Sequence, residues 1–328
     1  MAASLCEAFG PLDRAWINTA HQGPLPRAAA EAARLAIEEK LDPRRIAEEA
    51  FFEVPHTLRG TLGRLVGADP REIVLANSTS YGLDLLAHGL PLQAGDEVLL
   101  VEGDFPASIY PWLPLQRRGV RLRTLPASSG ALEPDDLQAA LSDRTRVVCT
   151  SWAFSFTGRT ADVRALVDVC RQHGDITFVL NGSQSVGARP TDVYELGMDA
   201  LVSCGFKWLC GPYATGFTWL RPQLLQRLEY EQGYWLAQVD EIASPPEHYE
   251  LRGDLGARRV RRLLHRQPVD VPRLGARRLA AARSRPRRDR ALRPGACRPA
   301  DRRPACSLEA AQPGRPCRTL DPRLPRTR

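Results

Sequence analysis

Short apolar runs of strand length alternate with helical stretches across residues 71–220. The runs at 73–75 and 178–180 carry Ile, Val, Leu and Phe at successive positions, as expected for strands buried on both faces of a sheet. The helical stretch that ends at His173 is followed by Gly174, a common residue just after a helix. This alternation predicts an α/β domain with a mainly parallel sheet sandwiched by helices.

Polar side chains follow two neighbouring runs at the point where each run ends. Asn181 and Gln184 come after the run at 178–180, while Ser203 and Lys207 come after the next run. In a parallel sheet, ligands bind outside the carboxyl ends of the strands. The sequence therefore predicts a ligand site that contains these four side chains.

The chain has only two lysines, Lys40 and Lys207, and every other basic residue is Arg. Lys40 lies on a charged helical face and is expected to be solvated. Lys207 lies next to Phe206 and Trp208, and poor solvation there favours the neutral amine. A neutral amine can attack a carbonyl to form a Schiff base, but a lysine at a strand end can also extend its charged head to water. The local sequence leaves both interpretations open.

A hydroxyl-rich turn at 77–80 follows the run at 73–75 and opens an apolar helix. The free backbone N–H groups and the dipole of a helix N-terminus favour an anion, and Thr79 and Ser80 add hydroxyl donors. Ordinary N-capping by Ser or Thr explains the same residues. Anion binding and capping both remain open at this point.

The net charge of +7 is unevenly distributed along the 328 residues. Residues 1–257 hold 23 Lys and Arg against 33 Asp and Glu, whereas residues 258–328 hold 22 Arg against 5 acids, a balance of +17. Neither a membrane span nor a signal peptide is expected, and no metal site is predicted because the eight cysteines show neither disulfide nor zinc spacing. We expect a cytoplasmic protein with reduced thiols.

Two segments resemble the signature of the class V, fold-type I, pyridoxal-phosphate enzymes. They are VLNGSQSVGA, which contains Asn181, and VSCGFKWLCGPYATGF, which contains Lys207. That family includes aminotransferases, cysteine desulfurases, kynureninase and isopenicillin N epimerase-like proteins, and the resemblance covers roughly residues 13–259. It implies that Lys207 forms the Schiff base with pyridoxal 5′-phosphate, that the substrate is a small amino acid and that the protein is a homodimer.

The resemblance also implies a role for each further cofactor ligand. The family has Asp where this chain has Asn181, and an uncharged amide does less to keep the pyridine nitrogen protonated. We therefore expect cofactor binding more firmly than fast transamination. Phe206 likewise stands where the family often has His. The implied roles are phosphate binding by Thr79, Ser80, Ser203 and the partner's Thr215, ring stacking by Phe105, and contacts to the ring nitrogen by Asn181 and to the ring hydroxyl by Gln184.

The segment at 13–26 corresponds to a family segment that lies over the active site. Its candidates for substrate contact are Asn18, His21 and Gln22, although a plain loop with a proline turn explains the pattern equally well. Two further candidates, Ser155 and Arg159, follow the predicted strand near residue 148.

The tail at 258–328 contains no Phe, Tyr, Trp or Lys and is dominated by Arg and Pro. A disordered basic arm, a nucleic-acid-binding tail and out-of-frame translation of a GC-rich gene are the three readings. We favour the third, because reading the codons for Val260–Gln267 from their second base permits Tyr-Asp-Val-Phe-Cys-Thr-Ala-Asn. An unbroken frame on resequencing around codon 259 would contradict it.

The predicted organisation is therefore an N-terminal segment and helix at 1–55, a cofactor-binding large domain at 56–257 and a tail at 258–328. The family's small C-terminal domain would be missing or disordered, which leaves a truncated and weakly active enzyme. The alternative is a non-catalytic remnant of the fold whose basic tail binds nucleic acid or a protein partner. We consider nucleic-acid binding the weaker interpretation.

Overall fold

A computed structural model describes residues 5–10, 15–47 and 50–229. The predicted tail at 258–328 lies outside these residues. The helices are α1 (Leu5–Phe9), α2 (Arg27–Leu41), α3 (Ala50–Val66), α4 (Thr79–Gly89), α5 (Pro134–Ala140), α6 (Val163–His173), α7 (Val193–Leu196) and α8 (Pro222–Arg227). The strands are β1 (Ile73–Ala76), β2 (Glu97–Val101), β3 (Arg121–Leu125), β4 (Thr145–Ser151), β5 (Thr177–Asn181), β6 (Ala200–Cys204) and β7 (Gly216–Leu220).

The seven strands form one sheet in the order β1-β7-β6-β5-β4-β2-β3. Strands β2 to β6 pair in parallel, whereas β7 is antiparallel to both β6 and β1. Strand β1 therefore runs in the same direction as β6, and the carboxyl ends of six strands lie at one edge. The mainly parallel sheet confirms the fold class predicted from the alternation of apolar runs.

Both faces of the sheet are covered by helices. Side chains of α3, α5 and α6 join one apolar cluster with alternate strand residues such as Phe178, Leu180 and Leu201. Side chains of α4 and α8 join a second cluster on the opposite face with Val179 and Val202. Neighbouring residues along a central strand thus enter different clusters, which is why the run at 178–180 in β5 is apolar at successive positions.

Two helices have limits that differ from those the sequence pattern indicates. The helical spacing of Ala, Glu and Arg over residues 27–50 predicts one long helix, but α2 ends at Leu41, because Pro43 disfavours a helical conformation at Asp42, whose φ and ψ are −124° and 91°. The pattern over residues 55–66 predicts a second helix, and α3 begins five residues earlier, at Ala50, with Pro55 inside it.

The connection between β2 and β3 is made of 3-10 turns at Pro106–Ser108 and Tyr110–Arg118. Pro114 lacks the N–H that an α-helix starting at Tyr110 would bond to the Tyr110 carbonyl. Across the described ranges, no helix is both long and apolar enough to cross a membrane.

Candidate active site

A cavity of about 540 Å³ lies at the carboxyl edge of the sheet, between the N-terminus of α4 and the segment at 15–26. Residues that end β4, β5 and β6, or that follow them, contribute much of its wall. The lining residues among those predicted from the sequence are Asn18, His21, Gln22, Thr79, Ser80, Phe105, Ser155, Asn181, Gln184 and Lys207.

Lys207 lies three residues after the end of β6, and its side chain is directed into the cavity. The residue is 8% exposed, and its Nζ lies 5.0 Å from the centre of the Phe105 ring. Burial lowers the pKa of the Lys207 amine, while negative charge on the nearby Cys204 acts in the opposite direction. The neutral amine predicted from the sequence is therefore favoured by its surroundings.

Cys204 is a cavity residue that sequence reasoning missed. It is 4% exposed, and burial raises the pKa of its thiol, opposed by the charge of Lys207 and by hydrogen bonds with Ser183 and Thr79. The predicted ligand Ser203 instead lies on the other face of β6, where its hydroxyl donates to the Cys204 carbonyl at 3.2 Å. Ala200 and Val202 of β6 face α4, and because side chains alternate along a strand, the same pattern places Cys204 on that face.

The N-terminus of α4 forms one end of the cavity. Ser78 caps the helix, because its Oγ accepts a hydrogen bond of 3.1 Å from the N–H of Tyr81. The Thr79 hydroxyl is 2.6 Å from the Ser183 hydroxyl, and Ser80 is exposed toward the cavity. The cap and the predicted anion ligands are thus different residues, so N-capping and anion binding are compatible at this turn.

Two amide side chains after β5 are held in defined orientations. Asn181 donates from Nδ2 to the Ser108 hydroxyl at 2.9 Å and accepts from the Ser183 N–H at 3.0 Å. Gln184 donates to the Ala20 carbonyl at 3.0 Å and to the Ser155 hydroxyl at 3.2 Å. Its Oε1 accepts from the Trp208 indole at 2.9 Å, so Gln184 joins three segments that line the cavity.

The segment at 15–26 lies against the loop that carries Lys207. The Gly23 N–H donates to the Phe206 carbonyl at 2.8 Å, and a Cβ atom at Gly23 would collide with the Lys207 carbonyl. Glycine is therefore required for this close approach. The contact places Asn18 and His21 in the cavity wall, as predicted from the sequence.

Aromatic rings border the cavity on two sides. Phe105 and Phe156 stack with their ring centres 6.2 Å apart, and Phe206 and Tyr213 lie with their ring centres 5.4 Å apart. Phe156 and Tyr213 are 70% and 62% exposed. The cavity thus combines a buried amine, a helix N-terminus with two hydroxyl groups and an aromatic face, which together suit a planar aldehyde that carries an anionic group.

The sequence profile named Aminotransferase class-V matches residues 47–240. The chain belongs to the class-V aminotransferase family. It is 32% identical over 243 residues to isopenicillin N epimerase of Streptomyces clavuligerus, covering 70% of this chain and 59% of that protein. It is 28% identical over 172 residues to a probable cysteine desulfurase of Methanothermobacter thermautotrophicus, covering 52% of this chain and 43% of that protein. The chain thus spans roughly half the length of these two relatives.

A solved structure shares the fold of this class-V chain. It is a mutant of C-DES with glycine covalently linked to its PLP cofactor, and it matches with a TM-score of 0.73 at 23% identity. The match covers 86% of this chain and 73% of the other. The likeness shows that the chain has the fold-type I architecture predicted from its sequence.

Three predicted site residues of this class-V chain lie outside the cavity lining. Besides Ser203, they are Thr215, whose hydroxyl donates to the Pro212 carbonyl at 2.5 Å, and Arg159, whose Nε donates to the Ser129 carbonyl at 3.1 Å on an exposed surface. Arg159 follows a turn that directs it away from the cavity, whereas Ser155 in the same segment lines it. Spacing along a loop did not distinguish these two positions.

Proposed function

We propose that the cavity binds pyridoxal 5′-phosphate through Lys207 and that the chain acts on a small amino acid with this cofactor. The observation that carries the proposal is the buried Lys207 amine, which faces the Phe105 ring in a cavity that also contains the N-terminus of α4. Membership of the class-V aminotransferase family and the PLP named for the C-DES structure support it.

The N-terminus of α4 fits the phosphate group. Helix α4 has 11 residues, and the N–H groups of its first turn have no acceptor within the helix. Ser78 already caps Tyr81, which leaves Thr79 and Ser80 to add hydroxyl donors to the dipole. The donor set therefore suits a dianion without a bound metal.

The ring of the cofactor fits between Phe105 and the end of β5. An aromatic side chain can stack on a pyridine face, with about 1 kcal/mol of stabilisation beyond burial. Asn181 would then contact the ring nitrogen. Gln184 would contact the ring hydroxyl if its Nε2 exchanged the hydrogen bond to Ser155 for one to the cofactor. No Asp or Glu lines the part of the cavity that the structure describes.

When bound, pyridoxal 5′-phosphate withdraws electrons from the Cα of an attached amino acid. Lys207 is the residue placed to move a proton at that carbon, because its buried Nζ is held neutral more readily than a solvated amine. The segment at 15–26, which Gln184 and Gly23 hold against the site, limits the access of water. Asn18, His21 and Ser155 are the proposed substrate contacts.

The proposed reactions are transamination, cleavage at Cβ and epimerisation. Each requires proton movement at Cα, and the relatives named isopenicillin N epimerase and probable cysteine desulfurase support this range. We also propose that the chain forms a homodimer in which Thr215 reaches the phosphate bound by the partner. The position of Thr215 outside its own cavity supports that role.

A second candidate function rests on the charge balance of +17 in residues 258–328. In this alternative the fold is a non-catalytic remnant, and the basic tail binds nucleic acid or an acidic protein. The replacement of the family's Asp by Asn181 supports it. Because ten predicted site residues line one cavity, we consider the enzyme the better-supported candidate.

The proposal is tested by adding pyridoxal 5′-phosphate to the purified chain, reducing with borohydride and mapping the adduct by mass spectrometry. We expect one adduct, on Lys207, together with a visible absorbance band that borohydride bleaches. The Lys207→Ala variant should lose both, whereas Lys40→Ala, which removes the other lysine, should keep both. An adduct on Lys40 alone, or none on either lysine, would overturn the proposal.

A further inference from the structure

A buried carboxylate lies behind Asn181, outside the cavity lining. Asp104 follows β2 and is 6% exposed. It accepts hydrogen bonds from the Phe105 N–H at 2.6 Å, from the Ser151 N–H at 2.8 Å and from the Ser151 hydroxyl at 2.5 Å. The ion pairs found within the described residues do not include Asp104. Burial raises the pKa of the Asp104 carboxyl, and these donors oppose that larger effect, because backbone N–H groups can only donate and so stabilise the ionised form.

Ser108 connects this carboxylate to Asn181. The Ser108 hydroxyl is fully buried and accepts from Asn181 Nδ2 at 2.9 Å, so its own proton is free to be donated elsewhere. The Ser108 hydroxyl is also among the groups that lower the pKa of the Asp104 carboxyl against the larger effect of burial. Ser151, which donates to Asp104, pairs with Asn181 across β4 and β5, so Asp104 lies close to an amide that lines the cavity.

The orientation of the Asn181 amide follows from the same contacts. The Ser183 N–H can only donate, so the atom that faces it must be Oδ1, while Nδ2 faces Ser108. Oδ1 has a second lone pair, and it is an acceptor. A ring nitrogen placed at this oxygen can form a hydrogen bond only if the nitrogen carries a proton.

We propose that Asp104, acting through Ser108 and Asn181, supplies the negative charge that keeps the pyridine nitrogen of the cofactor protonated. This inference rests on the proposed function, and it makes Asp104 a positioning residue that does not itself touch the cofactor. It assigns to a buried acid the charge that Asn181 lacks. The carboxylate attracts the protonated ring across a poorly solvated region, where such attraction is stronger than in water.

The test uses the full chain loaded with pyridoxal 5′-phosphate that is labelled with ¹⁵N in the ring. The ¹⁵N chemical shift, followed against pH, reports the protonation of the ring nitrogen without any measurement of turnover. We expect a protonated nitrogen at neutral pH in the unmodified chain. Asp104→Asn should lower the pKa of the ring nitrogen by about one to two units. Ser108→Ala, which leaves the carboxylate in place, should lower it by less.

A second variant shows whether the site survives the loss of Asp104. The double variant Asp104→Asn with Asn181→Asp should show a protonated nitrogen again, because a carboxylate then stands at the ring nitrogen of a site that is still formed. An unprotonated nitrogen in the unmodified chain, or an unchanged titration in Asp104→Asn, would overturn the inference while leaving the Lys207 adduct intact. Absence of that adduct would instead overturn the proposed function and this inference together.

Discussion

Lys207 is a buried amine with no carboxylate among the described residues that line its cavity. Burying an ionisable group without an opposite charge lowers the stability of the fold, and the group responds by favouring its neutral form. Under the proposed function, that neutral form is the one that reacts. The same burial that destabilises the chain thus prepares the amine to attack an aldehyde.

Replacing Lys207 with Met should stabilise the cofactor-free chain. Because burial lowers the pKa of Lys207, the unfolded chain binds a proton more readily than the folded chain, and stability rises with pH toward the ordinary lysine pKa of about 10.4. The gain from Lys207→Met should therefore be largest at about pH 7 and smaller at about pH 9.5. Urea unfolding at both pH values measures it.

The matched control for this prediction is Lys40→Met, which changes the other lysine on the exposed surface of α2. We expect the free energy of unfolding to change by less than about 0.5 kcal/mol in that variant, as is usual for exposed sites. A lower free energy of unfolding for Lys207→Met at both pH values would show that burial of the amine does not destabilise the chain.

At the scale of elements, the position of α4 decides where the proposed phosphate site lies. Gly82 lies on the face of α4 that packs against the sheet, and a Cβ atom there would collide with the Thr218 hydroxyl and lie 3.0 Å from Val202. The helix can approach β6 and β7 this closely only because Gly82 has no side chain. Its N-terminus thereby comes next to Cys204 and Lys207.

Gly82→Ala should destabilise the chain by about 1–3 kcal/mol, because the added methyl group overpacks the contact with Thr218. The higher helix propensity of Ala offsets this by only about 1 kcal/mol. Displacement of the helix should also weaken the binding of pyridoxal 5′-phosphate. Chemical unfolding and a cofactor titration monitor the two effects.

The control is Gly60→Ala in α3, where the nearest atom to an added Cβ would be the end of Arg64 at 3.7 Å. With room for the methyl group, this variant should gain about 0.5–1 kcal/mol from helix propensity alone. A similar gain in Gly82→Ala would mean that the contact between α4 and the sheet is looser than the structure indicates.

At the scale of the whole molecule, the described cavity and both described apolar clusters are built from residues 18–228. The basic tail adds no aromatic side chain to the chain. A chain that ends at residue 257 should therefore form the Lys207 adduct to the same extent as the full chain, and its melting temperature should be the same. Quantitative mass spectrometry and thermal unfolding compare the two proteins.

The same pair of proteins tests the second candidate function. If the tail binds nucleic acid, the full chain should bind it with an affinity that falls steeply between about 50 mM and about 200 mM salt, and the shorter chain should not bind. Loss of the adduct on removal of the tail would contradict the view that residues before 258 suffice for cofactor binding.

The fold and the position of Lys207 in the cavity wall could be predicted because their signals are local. The apolar runs at 73–75 and 178–180 each lie within a strand, and Lys207 is the one of the two lysines that has aromatic neighbours in the sequence. The prediction that Ser203 lines the cavity is wrong, and its neighbour Cys204 lines it instead. Successive residues of a strand face opposite sides of the sheet, and the spacing from Lys207 does not show which side each residue faces.

By itself, the sequence determined the alternation of strands and helices, the hydroxyl-rich start of α4 and the amine at the end of β6, because each depends on residues close together in the chain. Only the tertiary structure decided that β7 runs antiparallel, that Gln184 donates a hydrogen bond to Ala20, and that Asn181 donates one to Ser108. These contacts join residues more than seventy positions apart or depend on strand order. Hydrogen bonds form between groups that packing brings together, and no local pattern encodes that proximity.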